Sequence, residues 1–244
     1  MTSKDSAAQI DITFHSGGLR LFGVLHLPST TNPPVIVGSH GLASDGNSPK
    51  QIELANTCNA MGMAYFRFHH RGCGTSEGRF ADETTLGNRK KDLIAAVEAV
   101  LACKDTGDRL ALFGSSMGGA TCIAAARELQ AEGYVVVAPP VVGHTLTQPP
   151  ENLSSDPDLT DEFYRRLRDF NLTADLSAVK NVLIIHGDKD AIVPIENSQT
   201  LFRLAGEPKK LIVQKGGDHR ISDPGHQKEF IRESSQWFRR CFGL

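Results

Sequence analysis

The chain has 244 residues, of which 40% are hydrophobic and 22% are charged, and its formal net charge is −2. A nearly neutral balance provides no charged surface for nucleic acid or for an anionic membrane, so neither is expected as a partner. No run of about 18 apolar residues is present, which argues against a transmembrane helix.

Five scattered cysteines, without a CxxC pair, are typical of reduced thiols rather than of a disulfide or zinc framework. The opening residues lack the apolar middle of a signal peptide. We therefore expect a cytoplasmic protein with no metal or organic cofactor, either a monomer or a small homo-oligomer.

Eight short apolar or β-branched runs alternate with segments of helical character from the third run onward. This alternation predicts a mostly parallel eight-stranded sheet with helices on both faces. Only the short turn HSGG separates the first two runs, which predicts an antiparallel hairpin at the sheet edge. The eight runs are DITF, RLFGVLHL, PVIVGS, AYFRFHH, RLALFG, YVVVAP, NVLIIHG and KLIVQ.

The predicted helices follow the later strands. In RKKDLIAAVEAVLAC, the residues Leu93, Val97, Val100 and Leu101 share one face at helical spacing. The last helix is predicted to begin with Asp223 as its N-cap, followed by Pro224. The helical segments are QIELANTCNAMG, RKKDLIAAVEAVLAC, SSMGGATCIAAARELQ, IENSQTLFRLAG and PGHQKEFIRESSQWFRR.

Residues 141–178 interrupt the alternation with a segment rich in proline and acidic residues. Within it TDEFYRRLRDF is predicted to be a helix, with Phe163, Leu167 and Phe170 on one face. A long connection above the carboxyl edge of the sheet is typical of a lid over a pocket, and we favour that interpretation. The alternative is a surface excursion whose apolar stripe packs onto the domain. We expect one domain over residues 1–244, with a lid at about 141–178.

The segment Gly114-Ser115-Ser116-Met117-Gly118 fits the pattern G-x-S-x-G. This spacing predicts a sharp strand-to-helix turn that presents the central hydroxyl, that of Ser116, at the top of the sheet. The same turn directs the backbone N–H of Met117 at that point. The motif therefore predicts a serine nucleophile and one donor for an oxyanion.

A serine needs a base within hydrogen-bond reach and a third group that orients the base. Among nine histidines, His219 follows the last strand in a glycine-containing loop, and we expect it to be the base. Asp188 and Asp190 both follow the seventh strand, and spacing alone does not decide between them. Either choice gives the chain order serine, aspartate, histidine that a hydrolase of this arrangement requires.

The loop SHGLASDG after the third strand is expected to complete the site. Acyl transfer passes through an oxyanion and needs at least two preorganised donors. The N–H of Leu42 is the natural second donor beside that of Met117. We expect His40 to hold this loop by hydrogen bonds rather than to act in catalysis.

These segments together resemble the α/β-hydrolase superfamily, and within it the small bacterial serine esterases related to cinnamoyl and feruloyl esterases and to prolyl-oligopeptidase-like hydrolases. The resemblance implies that Asp190 is the acid, because it occupies the acidic position of the pattern H-G-x-x-D-x-x-V-P. It also implies His219 as the base, with Leu42 and Met117 as the oxyanion donors. The segments that carry it are SHGLASDG, FRFHHRGCGTSEG, GSSMGG, HGDKDAIVP and GGDHR.

One loop departs from the family pattern. In D-x-R-G-x-G-x-S the aspartate is replaced here by His69, while Arg71 and the later positions match. We interpret this loop as structural support, and the roles of His69 and His70 stay open at this point. Because the turn carries serine, neither Cys73 nor Cys122 is expected to be the nucleophile.

The sequence therefore predicts a serine hydrolase that cleaves carboxylic esters of small molecules through an acyl-enzyme. Short acyl chains are expected, with aromatic acyl groups such as cinnamoyl as the close alternative. A thioesterase or a small peptidase would use the same three side chains. A non-catalytic binding protein of this fold is the remaining alternative, against which the complete residue set argues.

Overall fold

The fold is built around an eight-stranded sheet with the strand order β1-β2-β4-β3-β5-β6-β7-β8. The computed structural model describes residues 8–146 and 159–244. β2 pairs antiparallel with β1 and β4, and the remaining neighbours are parallel, so the predicted mostly parallel sheet with an edge hairpin is confirmed. The strands are β1 (Ala8–Ser16), β2 (Leu19–Leu27), β3 (Val35–Ser39), β4 (Ala64–Phe68), β5 (Leu110–Ser115), β6 (Gly133–Val137), β7 (Val182–Gly187) and β8 (Lys209–Gln214).

The helices follow the predicted segments, with two differences. The segment after β5 forms two helices separated at Ala125, and a short helix that the sequence did not predict follows β4. The side chain of Asp223 accepts a hydrogen bond from the N–H of His226, as expected of an N-cap. The helices are α1 (Pro49–Ala60), α2 (Phe80–Glu83), α3 (Leu86–Leu101), α4 (Met117–Ala124), α5 (Ala126–Leu129), α6 (Asp161–Arg168), α7 (Glu196–Leu204) and α8 (Pro224–Cys241).

The core consists of two apolar clusters, one on each face of the sheet. Because side chains alternate along a strand, Val35 and Val37 of β3 lie in one cluster while Ile36 lies in the other. The first cluster is covered by α3, α4, α6 and α7. The second is covered by α1 and α8, and it includes Phe230 and Trp237, so the apolar face of the last helix is core.

The connection between β6 and β7 contains the segment predicted to form a lid. Its helix α6 buries Phe163 and Leu167 in the first cluster, and the ring of Phe163 lies 5.7 Å from that of Phe80. Residues 147–158 of this segment lie outside the described residues, so the lid stays a prediction. In the part of the chain that the structure describes, no helix is long and apolar enough to cross a membrane.

Candidate active site

Ser116 lies in the tight turn between β5 and α4, at the carboxyl edge of the sheet and near its centre. Its backbone has φ 52° and ψ −120°, a strained conformation for a residue with a side chain. Glycine is needed on either side because the turn packs so closely. A Cβ on Gly118 would lie 2.7 Å from the carbonyl oxygen of His40, and one on Gly114 would lie 2.6 Å from the carbonyl carbon of Gly118. The predicted sharp turn is present.

Three predicted side chains form a continuous hydrogen-bonded chain. The Nε2 atom of His219 lies 3.0 Å from Ser116 Oγ, and its Nδ1 atom lies 2.7 Å from Asp190 Oδ2. The Asp190 carboxylate is an acceptor, so the proton of neutral His219 belongs on Nδ1. The Nε2 lone pair is then free to accept a hydrogen bond from the serine hydroxyl. This tautomer suits a base that removes the serine proton.

The geometry of the loop after β7 shows which of the two aspartates contacts His219. Asp190 Oδ1 accepts hydrogen bonds from the N–H groups of Ile192 and Val193, each at 2.9 Å, and this aims Oδ2 at His219. Asp188 instead accepts a hydrogen bond from the N–H of Gly216 at 2.6 Å and holds the turn after β8. Asp190 is therefore the aspartate that the fold brings to His219.

His186 is a further partner of Asp190, and the sequence analysis did not identify it. Its Nε2 lies 2.9 Å from the carbonyl oxygen of Val193 and 3.2 Å from Asp190 Oδ2. Both neighbours are acceptors, so Nε2 carries the proton. Burial by itself raises the pKa of Asp190, but the hydrogen bonds from His186, His219 and Val193 outweigh burial and hold that pKa well below its usual range. The Asp190 carboxylate is thus ionised at neutral pH.

The two predicted oxyanion donors lie beside the serine. A Cβ on Gly41 would lie 3.7 Å from Ser116 Cβ, which places the loop after β3 directly against the turn at Ser116. Leu42 follows in that loop, and Met117 is the first residue of α4. Within residues 8–146 and 159–244, neither N–H takes part in a turn, loop or cap hydrogen bond between backbone groups. The assignment of both N–H groups as oxyanion donors stays a prediction.

Buried side chains behind this loop fix its position. His40 Nε2 accepts a hydrogen bond from the N–H of His70 at 3.1 Å, and His40 Nδ1 donates to the carbonyl oxygen of Gly41 at 2.7 Å. Arg89, which is 1% exposed, donates to the carbonyl oxygen of His40. His40 thus has the loop-holding position that the sequence analysis favours. Arg89 is a supporting residue that the sequence analysis did not identify.

His69 and His70 belong to the same buried support. His70 Nε2 lies 2.9 Å from Ser39 Oγ, and its Nδ1 lies 3.4 Å from Asp92 Oδ2. Asp92 also accepts a hydrogen bond from Arg71 at 2.7 Å. His69 Nδ1 accepts from a backbone N–H, that of Gly46, at 3.1 Å. Neither histidine lines the cavity at Ser116, so both support the loops rather than contact that cavity.

We predict that acid destabilises the fold, because several buried histidines are neutral in the folded state. Burial and neighbouring arginines lower the pKa of His70 to about 3 and of His26 to about 4, and they hold the pKa of His40 well below 6.5. The unfolded chain therefore binds more protons than the folded chain below pH 6.5. The contribution of these histidines to the free energy of unfolding should be fully present above that pH. It should decrease as the pH falls below 6.5, by up to about 1.4 kcal/mol per pH unit for each histidine.

Urea unfolding at pH 7.5, 6.0 and 5.0 measures this slope. His26 accepts a hydrogen bond from Arg67, and the variant His26→Gln keeps an acceptor there while removing one titrating group. Between pH 6.0 and 5.0, the slope of this variant should be smaller by roughly 1 kcal/mol per pH unit, with a smaller difference above pH 6.0. A free energy of unfolding that stays constant from pH 7.5 to 5.0 would contradict the prediction.

A cavity of about 360 Å³ opens beside Ser116. It extends from the loop after β3 toward the N-terminus of α1 and the loop that carries His219. Described residues of the segment 141–178 do not contribute to its lining. No group of three or more histidine, cysteine, aspartate or glutamate side chains that could hold a metal ion occurs in the described ranges. The lining residues include His40, Leu42, Lys50, Gln51, Phe113, Ser116, Val137, His219, Arg220, Ile221 and Phe230.

The sheet order, the turn at Ser116 and the loops around it define an α/β-hydrolase. A search of solved structures agrees: Est1E from Butyrivibrio proteoclasticus, solved with ferulic acid bound, superposes with a TM-score of 0.81. The match covers 96% of this chain and 100% of that chain at 22% sequence identity, a likeness that shows the fold alone.

Residues 51–244 match the prolyl oligopeptidase family, and the chain belongs to that family. The uncharacterized protein YfhR of Escherichia coli O157:H7 is 31% identical over 221 residues, which cover 88% of this chain and 74% of that protein. The mitochondrial palmitoyl-protein thioesterase ABHD10 of Mus musculus is 27% identical over 214 residues, which cover 78% of this chain and 70% of that protein. The predicted resemblance to α/β-hydrolases is confirmed.

Proposed function

We propose that this protein is a serine esterase that hydrolyses carboxylic esters of small molecules through an acyl-enzyme, without a metal or organic cofactor. The observation that carries the proposal is the hydrogen-bonded chain from Ser116 through His219 to Asp190. Such a chain lets a histidine take the proton of a serine hydroxyl as that hydroxyl attacks a carbonyl. Its position next to a cavity supports a substrate of small-molecule size.

In the first half of the reaction, Ser116 Oγ forms a bond to the ester carbonyl carbon while His219 Nε2 takes the hydroxyl proton. The negative charge that develops on the carbonyl oxygen is stabilised by the N–H groups of Leu42 and Met117. Asp190 stabilises the imidazolium. The bond to the leaving alcohol then breaks, and the alcohol oxygen takes the proton from His219.

In the second half, His219 removes a proton from water as the water attacks the acyl-enzyme. The tetrahedral intermediate breaks down when Ser116 leaves and takes its proton back from His219. The products are the acid and the free enzyme. No step needs a further co-reactant.

Thioester hydrolysis is the second candidate, and the relationship to the palmitoyl-protein thioesterase ABHD10 favours it. The same groups would act, with a thiol as the leaving group. A cavity of about 360 Å³ lies near the lower end of the usual range for ligand pockets, and this supports short or aromatic acyl groups over palmitoyl.

Hydrolysis of 4-nitrophenyl esters from acetate to dodecanoate, beside N-acetylcysteamine thioesters of the same acids, tests the proposal. We expect kcat of about 1–1000 s⁻¹ for short acyl esters and a decline in kcat/KM beyond the length that the cavity accommodates. Peptide 4-nitroanilides serve as the comparison for peptidase activity. Activity on thioesters alone would favour the second candidate, and activity on none of these compounds would contradict both.

A further inference from the structure

The carboxylate of Asp190 has a hydrogen-bond donor at each of the roughly four acceptor sites that such a group offers. Its Oδ1 atom accepts from the N–H groups of Ile192 and Val193, each at 2.9 Å. Its Oδ2 atom lies 2.7 Å from Nδ1 of His219 and 3.2 Å from Nε2 of His186. Two histidines therefore share one carboxylate oxygen, and only one of them, His219, is the candidate base.

Ser198 holds His186 in this position. Nδ1 of His186 lies 2.6 Å from Ser198 Oγ, and the two residues are 1% and 0% exposed. Because Nε2 faces two acceptors, the carbonyl oxygen of Val193 and Asp190 Oδ2, it carries the ring proton, and Nδ1 then accepts from the serine hydroxyl. The tautomer of His186 is therefore fixed from both sides. Since Ser198 is fully buried, a substrate cannot reach this second serine–histidine pair.

A donor on Oδ2 affects the other donor on the same oxygen. An N–H group that points at a carboxylate stabilises its ionised form and makes it less basic. The positive end of the same N–H dipole also lies toward the imidazolium that forms when His219 takes a proton, and it disfavours that cation. Because the contact is buried, water screens neither effect strongly. The hydrogen bond from His186 therefore weakens the hold of Asp190 on protonated His219.

We propose that His186 is a positioning residue that acts through Asp190 to lower the basicity of His219, so that this base stays free of its proton in more acidic solution. The inference rests on the proposed function, in which His219 takes the proton of Ser116. Ser198 acts one step further away, because it fixes the tautomer of His186. The hydrogen-bonded chain then extends from Ser116 through His219, Asp190 and His186 to Ser198.

The other charged or titratable side chains around the base lie further from Asp190. In the ranges that the structure describes, the ion pairs of Asp190 are with His186 and His219 alone. The remaining groups are all retained in the variants of His186, so a change in the basicity of His219 reports the contact with His186. These groups are His40 after β3, Lys50 on α1, Asp188 and Lys189 after β7, and Asp218 and Arg220 beside His219.

Two substitutions of His186 separate its contacts. In His186→Asn, the amide oxygen can take the place of Nδ1 and accept from Ser198, but the shorter side chain has no donor that reaches Asp190. In His186→Gln, the amide nitrogen can take the place of Nε2 and restore that donor. The acid limb of kcat/KM for 4-nitrophenyl acetate, measured from pH 6 to 9, reports the base of the free enzyme. We expect its midpoint to rise by roughly half to one pH unit in His186→Asn and to stay within about 0.2 unit of wild type in His186→Gln.

The shift of the midpoint distinguishes this role from a structural one. A residue that only supported the loop would lower kcat at every pH in both variants and leave the midpoint unchanged. Ser198→Ala is a further variant that leaves His186 in place. It should raise the midpoint by a smaller amount, because an imidazole that loses the donor on Nδ1 is a weaker donor at Nε2. Urea unfolding checks that each variant folds, and Ser198→Ala provides the test if His186→Asn does not.

Nuclear magnetic resonance separates this inference from the proposed function. The ¹⁵N resonances of the His219 ring are titrated in Ser116→Ala and in the double variants that add His186→Asn or His186→Gln. A midpoint that rises with asparagine and is restored with glutamine supports the inference even if wild type cleaves no ester, a result that would refute the proposed function alone. Ester hydrolysis by wild type with the same midpoint in all three proteins would support the function and overturn the inference. A midpoint that falls with asparagine would overturn it as well.

Discussion

Replacing Ser116 with alanine is expected to lower kcat for ester hydrolysis by roughly 10⁶. The variant lacks the atom that forms the acyl-enzyme, while the N–H groups of Leu42 and Met117 stay in place. A residual rate of roughly 10³–10⁴ over the reaction in water should therefore remain. Steady-state hydrolysis of 4-nitrophenyl acetate by wild type and variant measures the ratio, with an active-site titration to exclude contaminating wild type.

His219→Ala should lower kcat about as much as Ser116→Ala does. The double variant should lower kcat little further, because the two groups act as one unit. Cys73→Ala is the control for a thiol mechanism. Cys73 is buried, and burial raises its pKa, so its thiol is a poor nucleophile. This variant should keep kcat within tenfold of wild type. A decrease of less than 100-fold in kcat for Ser116→Ala would refute the proposed mechanism. A decrease of more than 100-fold in kcat for Cys73→Ala would also refute it.

The eight strands and a mostly parallel sheet could be predicted because alternation and apolar periodicity are local signals, whereas the order of the strands depends on long-range pairing and was not among the predictions. All eight predicted runs are strands, and Asp223 caps the last helix as expected. The split at Ala125 could not be predicted, since Ala124, Ala125 and Ala126 all favour a helix. The short helix at Phe80–Glu83 has only four residues, too few for a periodic pattern to be recognised.

The positions of the candidate site residues could be predicted because parallel strands end at one edge of the sheet. The choice between Asp188 and Asp190 could not be made from spacing, since both lie in the same loop. It depends on which carboxylate the N–H groups of Ile192 and Val193 hold. The family pattern named Asp190 without this physical reason.

The sequence does contain a signal for Arg89. It precedes Leu93 by four residues and so continues the apolar face of α3, where a charged side chain is unusual.

Asp190→Asn is expected to lower kcat by roughly 10⁴ with little change in KM. The N–H groups of Ile192 and Val193 hold the Oδ1 position, so an asparagine must place its oxygen there. Its NH₂ group then takes the place of Oδ2 and points a donor at His219 Nδ1. His219 would be forced to carry its proton on Nε2, the atom that must accept the proton of Ser116. The substitution would thus keep the loop contacts of the Oδ1 position and put the proton of His219 on the wrong nitrogen.

Asp188→Asn is the matched control, two residues away in the same loop. Its oxygen can still accept the hydrogen bond from the N–H of Gly216, and it has no contact with His219, so kcat should stay within about fivefold of wild type. Both variants are compared in kcat and KM for 4-nitrophenyl acetate, and ¹⁵N NMR of the His219 ring reports which nitrogen is protonated. Equal losses in the two variants would mean that the loop, and not the carboxylate of Asp190, sets the rate. A loss confined to Asp190→Asn, with the proton moved to Nε2, would assign to this carboxylate the task of fixing the histidine tautomer.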